Sequence, residues 1–473
     1  MQSTQEYPTV QTVYAQLQAW SPLVRDIVDA IHHADGTVLA IGGAVRDAFL
    51  KKPIKDLDCE VYGISLSQLE TILKQFGHVR FVGKSFGVLR IDTVDVDWSL
   101  PRTDAEGRKP RVMLNSFLAF KEAALRRDLT MNAIGINMTT GELIDPCNGL
   151  DDLQSGALRA PDLKQFSADP LRLYRVMQFV SRFAMKVDEQ LSAVCARMDV
   201  STVSRERIEQ EWHKMLMQSE RPSLGIRWLS TIGRLQDLFP EIAALHNVPQ
   251  RADYHPEGDV FEHTMQALDA AVRYRELCGS DGEKKQLMYA VLCHDMGKPM
   301  TTVWDQNRWR SPGHAEAGVD VARSFLRRIT RESQLIKTVC ILVKYHMRPG
   351  EYASNNASDW AYKKLAAALH PCTTLRMLSM VYGADRGGRN GDGSSLPLPE
   401  TDPAVTKFIN HMQKLGILDN PEPPVLTGQD LVDIIAPGPM MGLLLRRAYD
   451  HQIKHNITDK EQLKEYIKQK RHN

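Results

Sequence analysis

The spacing of apolar residues changes period along this chain, and the change divides it. Residues 22–33, PLVRDIVDAIHH, repeat apolar side chains at helical spacing and stop before a glycine turn at Gly36. TVLAIGG is then a continuous apolar run of strand length that breaks at two glycines into AVRDAFLKK, which predicts a strand-to-helix corner. DLDCEVYG predicts a second strand, SLSQLETILKQFG a helix, and HVRFVG, VLRIDTV and VDVDWSLP three further strands with period-2 alternation. PRTDAEGRKPRVML, residues 101–114, mixes charge with proline and glycine and predicts a mobile loop, and GINMTTGELID predicts a closing hairpin around its T-T-G turn. The first 150 residues therefore read as α/β.

Beyond them nearly every pattern is helical: DPLRLYRVMQFVSRF, SRERIEQEWHKMLMQ, SLGIRWLSTIGRLQDLF, and a histidine-bearing stretch from His255 to about Asp385. GGRNGDGSSLPLPETDP, 387–403, predicts a linker before a last helical segment that ends in KEYIKQKRHN.

Composition narrows the class without choosing a partner. At 473 residues the chain is too long for one core. Lys and Arg total 59 against 58 Asp and Glu, a formal charge of +1, so any nucleic-acid contact has to come from locally segregated basic surface. The seven cysteines are scattered and never spaced CxxC, which argues against a disulfide framework and a cysteine zinc site. With no signal-peptide pattern at MQSTQEYPTV and no apolar run long enough to span a bilayer, the expectation is a cytoplasmic protein without membrane contact.

Two places carry chemistry. In IGGAVRDAFLKKPIKDLDCEVYG, Asp56 and Asp58 sit two apart on a strand and so share a face, a pair suited to Mg²⁺. Gly42 and Gly43 let backbone approach a triphosphate, the helix after them offers N–H groups, and Arg46 follows one turn in. Each feature alone is an ordinary corner or turn; their conjunction within 17 residues is much more specific.

This stretch resembles the class II tRNA nucleotidyltransferases and their relatives the bacterial poly(A) polymerases, whose signature is GG-x-VRD followed by DxD. Further motifs match in order. VDVDWSLPR, 94–102, is similar to the strand that adds a carboxylate, either Asp97 or Asp95. RRDLTMNAIGIN, 126–137, resembles the RRD motif, which implies that Arg127 contacts nucleotide phosphate or ribose and that Asp128 orders that contact. ADPLRLYRVMQF, 168–179, looks like the helix that reads the incoming base, with Asp169, Arg172 and Arg175 as its readers; the resemblance departs at Ala168 and Gln178. SRERIEQEW, 204–212, is similar to the next motif, with Ser204 a helix cap and Glu206, Arg207 and Glu211 buttressing the base-reading helix.

The second place is an ordered series on helices: His263 in FEHTMQAL, His294 and Asp295 in LCHDMGKP, His314 in PGHAEAGV, His346 in KYHMRP and Asp385 in GADRGGRNG. Imidazole with carboxylate suits Mn²⁺, Ni²⁺, Fe or Mg²⁺ more than a thiolate-preferring metal, and the expectation is a divalent transition metal such as Ni²⁺ or Mn²⁺. The series resembles the HD phosphohydrolase superfamily, which implies that His263, His294, Asp295 and Asp385 hold a metal against a phosphoester, with His314 and His346 as additional ligands or phosphate contacts.

An HD domain behind such a head is the arrangement of the bacterial multifunctional CCA proteins. The resemblance implies a polymerase β-like α/β nucleotidyltransferase head at 35–150 after a helical extension at 1–34. A helical neck would follow at 151–245, the HD body at 246–390, a linker at 391–403 and a tail at 404–473. It implies addition of CCA to tRNA from CTP and ATP with Mg²⁺, and a second phosphohydrolase activity, in a monomer or dimer. PVLTGQDLVDIIAPGPMMGLLLRRAYDHQI, 424–453, is similar to the family's tail, where Arg446 and Arg447 would grip tRNA phosphates. Poly(A) polymerase, or a CC-only or A-only enzyme, is the alternative within the class, disfavoured by VGKSFGVLRI where the polymerases carry a basic stretch. A phosphohydrolase with a nucleotide-sensing head and an RNA-binding scaffold are the alternatives outside it.

Overall fold

The apolar run at Thr37–Ile41 forms β1, with four of its five residues buried. In the computed structural model, which describes residues 7–82, 87–104 and 112–470, β1 lies inside a seven-stranded sheet. Its neighbours in sequence are β2 (Leu57–Tyr62), β3 (Val79–Val82), β4 (Val88–Ile91) and β5 (Val94–Ser99). β6 (Arg102–Asp104) and β7 (Val112–Leu114) pair outside this sheet, and β8 (Gly135–Asn137) and β9 (Leu143–Ile144) form the closing hairpin. The strand order is β3-β4-β5-β2-β1-β8-β9. β2 and β5 run parallel, whereas β1 is antiparallel to both β2 and β8.

One register matters for function. Cys59 on β2 stands opposite Trp98 on β5, and both are fully buried. Since side chains alternate across a strand, their neighbours Asp58 and Asp97, also opposite each other, share the other face. The segment expected as a loop at 101–114 thus contains the β6–β7 ribbon; its residues 105–111 lie outside the described residues, as do 83–86 of VGKSFGVLRI.

The glycine corner leads into α1 (Gly43–Phe49), and the motif expected to read the base forms α2 (Leu171–Phe183). The chain forms two compact units, Met1–Val203 and Ser204–Asn473, so the boundary falls inside the segment expected as a neck.

The second unit is helical: α3 (Arg205–Gln218), α4 (Val260–Arg275), α5 (Asp281–Cys293), α6 (His314–Ile329), α7 (Ser333–Tyr345) and α8 (Leu375–Gly387) are its main elements. LMYAVLC in α5 is buried on every side, which marks it as a central helix. Trp212, Phe239 and Phe325 meet edge to face at 4.9–6.1 Å beside it. The stretch expected as a linker is irregular but pinned to this unit: Leu398 N–H donates to Gly387 O (2.7 Å), and Arg221 and Arg273 donate to the carbonyls of Ser395 and Pro399. The tail helices α9 (Pro439–His455) and α10 (Lys460–Lys470) share a small core of their own with Leu426, Leu431, Leu444, Leu463 and Ile467. Among the described residues, no helix is long and apolar enough to cross a membrane.

Candidate active sites

The first site grows out of the corner after β1. Gly42 takes φ +70°, a conformation that favours glycine, and turns the chain into α1. A methyl group on it would lie 3.3 Å from Arg127 Nη1 and 3.8 Å from Asp58 Oδ2, so the bare backbone sits between a guanidinium and a carboxylate. Arg127 also faces Glu60, two residues along β2 from Asp58, at 3.7 Å. Glu60 in turn accepts from the Tyr62 hydroxyl at 2.5 Å.

Asp56 is exposed just before β2, and Asp58 is half-buried beside Asp97. Burial raises the Asp58 pKa above the usual carboxylate range, and the nearby Asp97 and Asp56 push it the same way against the pull of Arg127 and Arg90. Of the two candidates on β5, Asp97 is therefore the carboxylate beside Asp58; Asp95 points outward, with its side chain 67 % exposed. Arg90 Nε donates to Asp97. Asp56, Asp58 and Asp97 are hard oxygen donors that feel one another's charge, a chemistry that suits a divalent cation.

Arg46 departs from the expectation of an open phosphate contact. It is buried, its Nε donates to Asp47 (2.8 Å) and its Nη1 to Asn132 (2.6 Å), and it lies over the Phe183 ring at 4.8 Å from the centroid. Asp128 departs too. Its oxygens accept from Leu129 N (2.8 Å), Asn132 Nδ2 (2.9 Å) and Arg175 Nε (2.6 Å), so it orders Arg175 on α2 rather than Arg127. Burial alone would raise Asp128, but Arg175, Asn132 and Arg172 overcome it and hold the group at about 2.

The structure brings the three expected base readers to one end of α2. Asp169 Oδ1 accepts from Leu171 N (3.2 Å), Arg172 Nη1 donates to Gln165 O (2.9 Å), and Arg172 Nη2 reaches Arg126 O. Gln178 is buried, whereas Ala168 is exposed. Ser204 caps α3 as expected, accepting from Arg207 N at 3.5 Å; within the second unit Glu206 pairs with Arg331 (3.3 Å) and Glu211 with Lys214 (2.8 Å).

The second site is assembled from five helices' ends and faces. His263 comes from α4, His294 and Asp295 from the end of α5, His314 from the start of α6, His346 from the end of α7 and Asp385 from α8; all are buried. Each imidazole has its Nδ1 against an acceptor: Glu257 for His263 (2.7 Å), Val291 O for His294 (2.7 Å), Ser311 O for His314 (2.8 Å) and Val343 O for His346 (2.6 Å). These acceptors assign the proton to Nδ1 and turn four Nε2 lone pairs inward.

The inward nitrogens meet in two pairs, His263 with His294 at 3.3 Å and His314 with His346 at 3.2 Å. Asp295 lies between the pairs: Oδ2 is 3.2 Å from His294 Nε2, and Oδ1 is 3.4 Å from His314 Nε2. Two facing lone pairs repel unless a cation or proton stands between them, so the donor set fits a divalent metal at each pair with Asp295 common to both. Burial pushes His346 down to about 3, reinforced by His314 and His294, which keeps it a neutral ligand. For His263, burial lowers the pKa, but Asp385 at 3.1 Å and Glu257 raise it on balance.

Several site residues escape a reading of the sequence. Glu257 lies in a loop outside any helical period, and Glu60 and Asn132 look like ordinary strand and turn residues. Lys298 had a signal, since it stands three residues after Asp295 in HDMGK and its Nζ reaches Asp295 Oδ2 at 2.6 Å. Arg389, four residues after Asp385, contacts both its oxygens at 3.0 and 3.1 Å.

Residues 38–159 match the poly A polymerase head domain, and residues 260–377 match the HD domain, a span that ends before Asp385. A multifunctional CCA protein of Halorhodospira halophila is 35% identical over 321 residues, 65% of this chain and 72% of that one. Another, of Mannheimia succiniciproducens, is 32% identical over 368 residues, 74% of this chain and 84% of that one. Among solved structures, the Bacillus stearothermophilus CCA-adding enzyme in complex with CTP is similar in fold, with a TM-score of 0.65, 17% identity and coverage of 96% of this chain and 98% of that one. The Thermotoga maritima CCA-adding enzyme complexed with tRNA has a TM-score of 0.59, 19% identity and 98% coverage of both chains. A polymerase β-like head, a helical body with an HD centre and relatives at this identity and coverage lead to one assignment: the chain belongs to the multifunctional CCA protein family.

Proposed function

We propose that this protein is a template-independent tRNA nucleotidyltransferase that adds C, C and A to the 3′ end of tRNA from CTP and ATP and releases pyrophosphate. The observation that carries this reading is the register of Asp58 against Asp97, next to the bare corner at Gly42 and the guanidinium of Arg127. Asp56 and Asp58, with Asp97 alongside, would hold Mg²⁺, which when bound neutralises triphosphate charge and favours ionisation of the attacking 3′-hydroxyl. Gly42 and Gly43 give the triphosphate access to the backbone, and Arg127 meets its charge. Arg46 serves this corner from beneath, by tying α1 to Asn132. Asp169, Arg172 and Arg175 present an acceptor and donors to the Watson–Crick edge of the incoming base. Asp128 fixes the Arg175 guanidinium before the nucleotide arrives, so less entropy is lost on binding.

The test is incubation with tRNA lacking its 3′ CCA, with CTP and ATP separately and together. The expected products are two added residues with CTP alone and three with both nucleotides. No incorporation under any condition defeats the reading, and long A tracts select the poly(A) polymerase alternative.

The inward Nε2 pairs support a second activity, metal-dependent hydrolysis of phosphoesters at the HD centre. His263, His294, Asp295 and Asp385 would hold one divalent transition metal, with His314 and His346 completing a second position that shares Asp295. Metal there supplies an activated water for attack on phosphorus. Release of phosphate from nucleotides, or opening of a 2′,3′-cyclic end, after loading with Ni²⁺ or Mn²⁺ tests it; no turnover with either metal contradicts it.

A further inference from the structure

Helices α6 and α7 carry His314 and His346 on their inner sides, and a groove of about 820 Å³ runs along their outer sides. Arg323 is nine residues from His314, and Lys337 is nine from His346. Nine residues is two and a half turns, so each stands on the side of its helix opposite the metal-binding histidine. The floor of the groove is apolar, with Val319, Ile336, Cys340 and Ile341. Every charged residue that lines it is a cation, Arg205, Arg323, Arg327, Arg331, Lys337 and Lys344, with Thr330 and Ser333 as the neutral polar groups and no carboxylate among the lining residues.

Two of these charges are compensated nearby, Arg323 by Asp320 and Arg331 by Glu206. Glu209 and Glu332, also close by, are engaged with Thr330 and Lys285. Among the described residues Arg205, Arg327, Lys337 and Lys344 have no carboxylate within ion-pair reach, and Arg327, Lys337 and Lys344 are exposed. In a chain of net charge +1, a groove with four uncompensated cations is a segregated basic surface. Arg323 and Arg327 stand four residues apart on α6, about 6 Å by helical rise. Flexible cations along both helices of a groove suit repeated phosphates along a strand, read by charge and shape rather than by base.

We infer that this groove binds the phosphodiester backbone of tRNA, as a contact of the HD body separate from the nucleotide site, the HD metal centre and the tail. The inference rests on the transferase reading for the identity of the RNA.

The experiment measures the affinity of the full-length protein for fluorescently labelled tRNA over a series of KCl concentrations. It compares the wild type, the triple variant Arg327→Gln, Lys337→Gln, Lys344→Gln, and the charge-keeping triple variant Arg327→Lys, Lys337→Arg, Lys344→Arg. The glutamine variant should bind at least tenfold more weakly at low salt. Its slope of log affinity against log salt should be shallower by about 2 to 3, since each phosphate contact contributes about 0.7 to 0.9. The charge-keeping variant should retain the wild-type slope. An unchanged slope and affinity in the glutamine variant overturns the inference, as does an equal loss in both variants. If the wild type incorporates no CTP into truncated tRNA, the transferase reading fails while the slope comparison still decides the groove. If it incorporates CTP and the slopes coincide, the groove alone is refuted.

Discussion

Asp128 and Arg175, 47 residues apart, are joined by two N–O contacts of 2.6 Å each. The pair connects the RRD motif to α2, the helix proposed to read the base, and sits with the Asp128 side chain 8 % exposed. Its acid behaviour follows from sign. The folded pKa of about 2 lies below the unfolded value of about 3.9, so the stabilisation is present above pH ~4 and is lost as the pH falls through about 2. Asp128→Asn should therefore remove about 2 kcal/mol at pH 7. It should also flatten the decline of the thermal midpoint between pH ~4 and ~2, which melting curves across that range will check.

Gly42→Ala tests the corner. The substituted residue would have to hold φ +70°, at about 1–3 kcal/mol of strain, and its methyl group would press on Arg127. Incorporation of CTP should fall by at least about tenfold, with phosphoester hydrolysis by the HD centre unchanged.

Glu257→Gln tests the tautomer of His263. The carboxylate accepts at one oxygen from Nδ1 of both His263 (2.7 Å) and His255 (2.9 Å), and a neutral amide oxygen in its place accepts both more weakly and no longer holds the Nδ1 protons by charge. Affinity for Ni²⁺ or Mn²⁺ in equilibrium dialysis should drop by about 10–100-fold, the usual effect of losing such an outer partner.

Chelation tests the buried donor set as a whole. Stripping metal leaves two close Nε2 pairs without a cation, so treatment with EDTA should abolish phosphoester hydrolysis and lower the thermal midpoint. Restoring metal at about 100-fold above its dissociation constant should return about 2.7 kcal/mol.

The parts legible in sequence were those carried by period and local spacing. The strand–glycine–helix corner, the strand that carries Asp58, the closing hairpin and the order of the HD histidines all follow from residues near one another in the chain. The choice of Asp97 over Asp95 did not, because it depends on the β2–β5 register, a long-range pairing. The same holds for Asp128, whose partner is Arg175, 47 residues away on α2, and not the adjacent Arg127. Arg46 sits in the expected motif, yet burial against Asn132 and Phe183 changes its work from open contact to support. Glu257 had no periodic signal, since loop residues acquire their role only from what the folded chain places opposite them.

The most direct measurement of the central assignment follows the 3′ end of truncated tRNA with CTP and ATP, using wild type, Asp58→Ala and Asp295→Ala in parallel. The predicted result is CCA addition by the wild type and by Asp295→Ala, with Asp58→Ala reduced by about 10³-fold, the scale of losing a principal electrostatic group. Full incorporation by Asp58→Ala, or equal loss in both variants, would contradict it.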